Sequence, residues 1–554
     1  MLCTLYRTIE TALRKVTGQD EVLLGEGGGH ADLASTVAFS LAKARKTAPA
    51  GIARELAASL SARDDMKEIR VEALGPYLNF HFNREVIEKA LREATSPGYG
   101  THPPHAEKVV LEHTSANPNG PLHVGHIRNT ILGDTLARSF RKAGYQLEVQ
   151  YYVNDMGRQI AIVVWGFSTL ESAPLPGEKG DHHVARIYIA ANRKLESRPD
   201  YVTEVDRLMQ LVEKGDPATV RLFRGAVTEC LEGFEVTLSR LGAHHDRFVW
   251  ESDFIRNGDT DRILGKISYM QECRDDGKLW LDLSSVGFEK EYVLRRSDGT
   301  SVYAARDLAY HTWKGRNFDR VIDVLGADHK LIGAQLVATL RLLGERVPEI
   351  VHFEFVSLPE GSMSTRAGKF VSADELLDEV TRRAMEEVTV RRPELPESER
   401  RDIARSVALA AIRYDIARIS PEKSTVFDWK EALDFERQSG PYIQYAHARA
   451  CSILEKAGAF EESVILENEH EMALARHIIR FPMVIESVVR ELKPHLLAGY
   501  ARELADLFNA FYHFEPVLKS EGLVRRSRLT LVKAAQNTLA EALQTLGIDA
   551  LKTM

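Results

Sequence analysis

The sequence predicts an α/β protein. Its centre is a Rossmann-type doubly wound parallel sheet with an insertion, between a small α+β amino-terminal domain and an all-α carboxy-terminal bundle. Three observations lead there. A chain of 554 residues is too long for one core. Residues 107–153 read strand, helix, strand, the first unit of a parallel sheet. After about residue 372, apolar positions recur at helical spacing to the end. The expected domains are 1–100, 101–380 with an insertion at about 166–290, and 381–554.

The amino-terminal unit opens with helical patterns, "LYRTIETALRKV", "HADLASTVAFSLAKARK" and "PAGIARELAASLSA". The alternating piece "IRVEALGPYLNFHF" follows and predicts strand. "GEGGGH" lacks the spacing and lysine of a phosphate-cradling loop and is read as a plain loop. Gly and Pro cluster in "SPGYGTHPPHAE", marking a boundary. "EKVVLEHTS" is then a buried-type strand. "GHIRNTILGDTLARSFRKAG" is a helix with Ile127, Ile131, Leu132, Leu136 and Phe140 inward and Gly144 as its stop, and "YQLEVQYYV" is the next strand. Residues 166–290 are irregular and partly helical, hence the insertion. "YVLRRSDGTSVYAARDLAYHTWK" predicts two strands about Asp298-Gly299 and a helix from about Asp307. "DRVIDVLG" is a strand, "LIGAQLVATLRLLG" a helix, and "HFEFVSLPEGSMSTRAGKF" a strand entering a Gly-containing loop. The helical tail suggests a bundle.

Bulk properties exclude several classes. No run of 18 or more apolar residues exists, which argues against a membrane span. The first residues form an amphipathic helix rather than a signal peptide, so a cytoplasmic enzyme is the expectation. Four scattered cysteines, Cys3, Cys230, Cys273 and Cys451, suggest neither disulfides nor a thiolate metal site, and no metal ligands are assigned. The pairs His182-His183 and His244-His245 read as surface or satisfied histidines. A net charge of −8 argues against coating nucleic acid non-specifically, though not against a partner read by shape and local patches.

One stretch carries chemistry: "NPNGPLHVGHIRNTILGD", where His123 and His126 flank Gly125 as strand gives way to helix. A helix amino terminus suits phosphate. Histidines there can donate hydrogen bonds to a phosphoryl group as its charge redistributes. A glycine between them lets a purine lie flat against the backbone. With 19 His and 37 Gly in the chain, His-x-Gly-His is expected by chance about 0.04 times.

"PLHVGHIRN" resembles the HIGH signature of class I aminoacyl-tRNA synthetases. The longer "SANPNGPLHVGHIRNTILGDTLARSFRKAGY" resembles the arginyl-tRNA synthetase version. "DGTSVYAARDLAYH", "SMSTRAGKFVSADELLDE", "DWKEALDFERQSGPYIQYAHARACSIL" and the ending "FNAFYHFEPVL…LGIDALKTM" agree, so the resemblance spans the chain. It implies ATP-dependent activation of arginine and transfer to the 3′ end of tRNA(Arg), with Mg²⁺, generally with tRNA needed for the first step. His123, Gly125, His126, Met363 and Ser364 would handle ATP. Glu112, Asn117, Tyr303, Asp307 and Gln335 would line the arginine pocket, with Asp307 on the guanidinium.

The family's second signature, KMSKS, is here "SMSTR", without either lysine. The compensating lysine that some arginyl enzymes place before HIGH is also absent, Gly120 standing in that region. Arg366 and Lys369 are therefore expected to share the pyrophosphate role with Mg²⁺, as catalytic groups beside His123 and His126. The bundle resembles the family's anticodon-binding domain, with Tyr442, Tyr512 and Met554 near the anticodon; Tyr442 fits core packing equally well. The amino-terminal unit resembles the D-loop-binding domain, with Asn79 as a base contact. A monomer is expected. A small nucleotidyltransferase and a non-catalytic tRNA-binding paralogue are the rival readings, the second kept open by "SMSTR".

Overall fold

The computed structural model describes residues 2–20, 22–27, 31–270, 274–275, 278–289, 291–297, 299–359, 371–436 and 438–554. Five strands form the central parallel sheet, in the spatial order Glu349–Phe353, Arg320–Gly326, Lys108–Glu112, Gln146–Val153, Arg247–Trp250. The chain starts in the middle, moves out to Arg247–Trp250, then crosses back to the other flank. The crossing leaves a switch point between Lys108–Glu112 and Arg320–Gly326, and ligands of open α/β sheets bind outside the carboxyl ends there.

The first sheet helix, Val124–Lys142, has Ile127, Ile131, Leu132, Leu136 and Phe140 all fully buried. Gly144 ends it with φ +85°, a conformation that favours glycine. Residues read as insertion contain helices Gly180–Ser197, Val202–Glu213 and Pro217–Arg240, but also the sheet's edge strand Arg247–Trp250. That strand has only four residues, too few for periodicity to reveal between long helices. A three-stranded antiparallel sheet, Arg274–Asp275, Lys278–Leu281 and Tyr292–Arg295, follows it. The helix expected from about Asp307 begins at Tyr303.

The amino-terminal domain is a four-stranded antiparallel sheet against helices, in the order Leu24–Glu26, Leu33–Ser35, Tyr77–Phe82, Ile69–Leu74. "HADLASTVAFSLAKARK" does not form one helix. Leu33–Ser35 pairs with strands on both sides, and the helix is Val37–Arg45. Sheet pairing here overrides local helical preference. Leu78, Phe80 and Phe82 face the core, while Tyr77, Asn79 and His81 share the other face.

From Ala373 the chain is almost wholly helical, and its last helices are Gly440–Ala457, Glu469–Ile479, Phe481–Glu491, His495–Phe514 and Gly522–Thr545. Arg413, fully buried, joins this half to the sheet: its guanidinium reaches Asp134 Oδ2 at 2.5 Å and the carbonyls of Leu241 and Leu546 at 2.7 Å. Among the described residues no helix is long and apolar enough to cross a membrane.

Candidate active site

His123 is the N-cap of Val124–Lys142, and the two histidines build an unusual capping box. Gly125 N donates to His123 Nδ1 at 3.1 Å, and His123 N donates to His126 Nδ1 at 3.2 Å. The rings stack with centroids 3.7 Å apart. Burial lowers the pKa of His123. Burial and then the charge of His123 push His126 down to about 3. Both rings are therefore neutral near pH 7, and because each Nδ1 accepts, each proton sits on Nε2. Two main-chain donors of the helix terminus are thus occupied by the rings, and the pair presents Nε2–H groups instead. Gly125 has a reason beyond a purine: a Cβ there would lie 2.9 Å from His123 Cε1.

The first strand ends in a strained turn, with Thr114 at φ +69° and Ser115 at φ +38°. Asn129 holds it, accepting from Thr114 N at 2.9 Å and donating to Val324 O at 3.1 Å across the switch point. Facing it, Gly326 leads into the short turn Ala327–His329 at the carboxyl end of Arg320–Gly326. The sequence reading missed this turn, although it follows a buried strand at the switch point, where open α/β sheets bind ligands.

The predicted arginine ligands meet a buried ionic chain. Lys314, fully buried, donates to Glu112 Oε2 at 2.5 Å and Asp323 Oδ1 at 2.7 Å. His311 lies 2.9 Å from Asp323 and 3.0 Å from Asp307. Burial opposes the charge of His311, as does Lys314, but Asp307 and Asp323 outweigh both and raise its pKa to about 10. Glu112 is therefore committed: its other oxygen accepts from Ser115 Oγ at 2.9 Å. Tyr303, 57 % exposed, and Asp307 lie one turn apart on Tyr303–Asn317. Asn117 is exposed beyond the strained turn, and Gln335 is buried on the neighbouring helix Lys330–Leu342.

Among the buried polar atoms without a hydrogen-bond partner in the described residues are Tyr152 OH, Tyr292 OH and Glu251 Oε2. Each feels the Asp307 carboxylate. Arg306 Nη1 is 3.5 Å from Glu251 Oε1. Unsatisfied acceptors around a carboxylate suit a ligand with many donors, and a guanidinium has five. Glu251 was hidden from sequence reasoning because it follows the short edge strand.

Two groups with metal-ligand chemistry exist among the described residues, Glu112–His311–Asp323 and Asp181–His182–Asp374. Lysine Nζ already fills each, Lys314 in the first and Lys179 in the second. Neither fits a resident cation. Met363, Ser364, Arg366 and Lys369 lie outside the described residues.

At the far end of the bundle, Tyr442 is half-buried, its hydroxyl donating to Asp506 at 2.8 Å and accepting from Asn509 at 3.0 Å. Tyr512 is 42 % exposed; the Arg449 guanidinium lies 5.5 Å from its ring and 4.8 Å from that of Tyr445. Met554 is half-buried, and its carbonyl accepts from Arg392 at 2.7 Å. Asn79 is only 5 % exposed, on a strand flanked on both sides, whereas Tyr77 on the same face is open.

The class follows from the central region: residues 87–429 match the family model of the class I tRNA synthetase (R) catalytic domain. Residues 4–82 match the arginyl tRNA synthetase N terminal domain and 443–554 the DALR anticodon binding domain. The chain is 65 % identical to the arginine–tRNA ligase of Methanosphaerula palustris over the full length of both. It is 66 % identical to that of Methanoregula boonei, covering 99 % of each. The solved arginyl-tRNA synthetase of Thermus thermophilus superposes with a TM-score of 0.86 at 32 % identity, over 100 % of this chain and 99 % of that one. The chain belongs to the arginyl-tRNA synthetase family, and it is an ATP-using arginine–tRNA ligase. The paralogue without activity is not favoured.

Proposed function

We propose that the guanidinium of arginine binds among Asp307, Glu251, Tyr152 and Tyr292, and that ATP lies along the switch point with its α-phosphate at His123 and His126. The supporting observation is the set of orphaned acceptors around Asp307, beside a histidine pair whose protons are fixed on Nε2. The carboxylate of arginine attacks the α-phosphorus in line, breaking the bond to pyrophosphate. Nε2–H groups donate to the phosphoryl oxygens as charge builds. A ribose hydroxyl of the tRNA's terminal nucleotide then attacks the mixed anhydride, giving arginyl-tRNA and AMP. No side chain forms a covalent intermediate; positioning and electrostatics carry the rate. Glu112 acts one step back, by holding Lys314 and the strained turn that presents Asn117, while Gln335 closes the pocket. Mg²⁺, bound with ATP, would supply charge neutralisation at the phosphates. Arg366 and Lys369 stand in for the signature lysines, and Met363 and Ser364 contact the nucleotide.

The tRNA's 3′ end reaches this site through a groove of about 530 Å³ beside Tyr303. Asn154, whose Oδ1 has no partner, the exposed Arg296, which forms no ion pair among the described residues, and Arg158 line it. These groups suit a phosphate and a base edge. Tyr445, Arg449 and Tyr512 stack on anticodon bases, with Tyr442 and Met554 supporting them. Tyr77 stacks on a D-loop base, and Asn79 reaches it only by a side-chain movement. The enzyme acts as a cytoplasmic monomer. Charging of tRNA with labelled arginine tests the reading: signal must require tRNA, ATP and arginine together. Formation of an arginylated small metabolite without tRNA would reject it.

A further inference from the structure

The chain passes directly behind His123 as it enters the helical half. Ser372 forms an antiparallel bridge with His123, and Ala373 N donates to Leu122 O at 2.7 Å. Ser372 then caps Ala373–Arg391: its Oγ accepts from Glu375 N at 3.1 Å, and Glu375 Oε2 accepts from Ser372 N at 2.9 Å. The main chain of His123 is thus as fixed as the first turn of that helix.

Asp374, in that turn, carries far more than a cap needs. Its carboxylate accepts from Lys179, from Thr237 Oγ1 at 3.1 Å and from Arg240 Nη1 at 3.1 Å, with His182 Nε2 at 3.2 Å. Lys179 caps Gly180–Ser197 and also donates to Thr237 at 2.6 Å; Arg240 ends Pro217–Arg240 and reaches Asp378 at 2.5 Å. These two helices approach closely: a Cβ on Gly180 would meet Glu229 O at 2.2 Å, and one on Gly233 would meet Asp181 N at 2.5 Å. They pack tightly as a pair, and Asp374 is where they grip the turn behind His123. Burial disfavours its charge, but the hydrogen bonds from His182 and Lys179 hold it ionised, well below the usual carboxylate range.

We propose that Asp374 is a positioning residue for adenylate formation: it clamps the helices Gly180–Ser197 and Pro217–Arg240 to the Ser372–His123 bridge and so sets where the histidine pair meets the α-phosphate. The proposal rests on the reading of that pair given above. A displacement of about 1 Å at such a site costs on the order of 10²-fold in rate.

The test uses the full-length enzyme with Asp374→Asn, which keeps shape and removes charge, Lys179→Met, which opens the clamp from the other side, and the double variant. Arginine-dependent ATP–pyrophosphate exchange is measured with saturating tRNA, together with KM for arginine, tRNA affinity and thermal midpoint. Each single variant lowers kcat by about 10- to 10²-fold while arginine KM and tRNA affinity stay within about twofold, and the double variant is no worse than the poorer single one. Asp374→Glu, retaining the charge, recovers most of the rate. Unchanged kcat, losses that multiply, or a lower kcat accompanied by a raised arginine KM and weaker tRNA binding would overturn the proposal. Should Asp374→Asn fail to fold, Lys179→Met and Asp374→Glu decide it alone. Absence of exchange in the unmodified enzyme would instead reject the reading of the site.

Discussion

Asp307→Asn probes the proposed arginine site most sharply. The substitution keeps the size of a half-buried side chain and removes its charge. Losing a hydrogen bond to a charged group costs about 1.5–3 kcal/mol. Stranding a buried charge costs about 3–5 kcal/mol. Glu251 remains as a second carboxylate, so the smaller range applies, taken at its upper end. At about 1.4 kcal/mol per decade, kcat/KM for arginine falls by about 10²-fold. The fold tolerates the change, because His311 keeps Asp323 at 2.9 Å. The assay is ATP–pyrophosphate exchange with saturating tRNA, first varying arginine, then ATP, with a thermal melt alongside. ATP KM stays within about twofold. An arginine KM within about threefold of the unmodified enzyme, or an ATP KM that rises in step, would refute the placement of the guanidinium.

Five further outcomes follow, four of them from the same geometry. Burial raises the Glu251 carboxyl to about 7, so arginine kcat/KM falls as pH drops through 7, a limb that Glu251→Gln abolishes in a pH–rate profile. The same group has a folded pKa above its ordinary 4.5, so it destabilises the fold above pH 7 and that penalty is relieved as pH falls toward 4.5, visible as a smaller pH dependence of unfolding in Glu251→Gln. Gly125→Ala drives a methyl into the His123 ring and lowers adenylate formation by about 10²-fold, with arginine affinity unchanged by calorimetry. Arg413→Met removes one of the two guanidinium partners of buried Asp134, Arg138 staying at 2.7 Å, and lowers urea-unfolding stability by about 1.5–3 kcal/mol. Arg366→Ala and Lys369→Ala each slow adenylate formation in single-turnover measurements, and unchanged rates would remove them from the mechanism.

The features legible in the sequence are those with local signatures. The helix Val124–Lys142 declares its buried face through apolar spacing, and His123-x-Gly125-His126 is rare enough to mark a site. Leu33–Ser35 was illegible because three residues inside a helical pattern carry no period of their own. Arg247–Trp250 was lost in the same way, and Glu251 with it, since only sheet pairing reveals that it stands at a carboxyl end beside Asp307. The ionic chain from Glu112 through Lys314 to Asp307 joins residues up to 202 apart, and such pairs leave no mark in either segment. That is also why the pairing of Glu112 with Lys314 was not legible. Arg413 and Asp134, 279 positions apart, are hidden for the same reason.

The most direct test is a crystal structure with tRNA and a non-hydrolysable arginyl-adenylate analogue. The account places the analogue's phosphate within hydrogen-bond reach, about 3 Å, of His123 and His126 Nε2, and its guanidinium on Asp307 and Glu251. A phosphate held away from the start of Val124–Lys142, or a guanidinium away from those carboxylates, would contradict it.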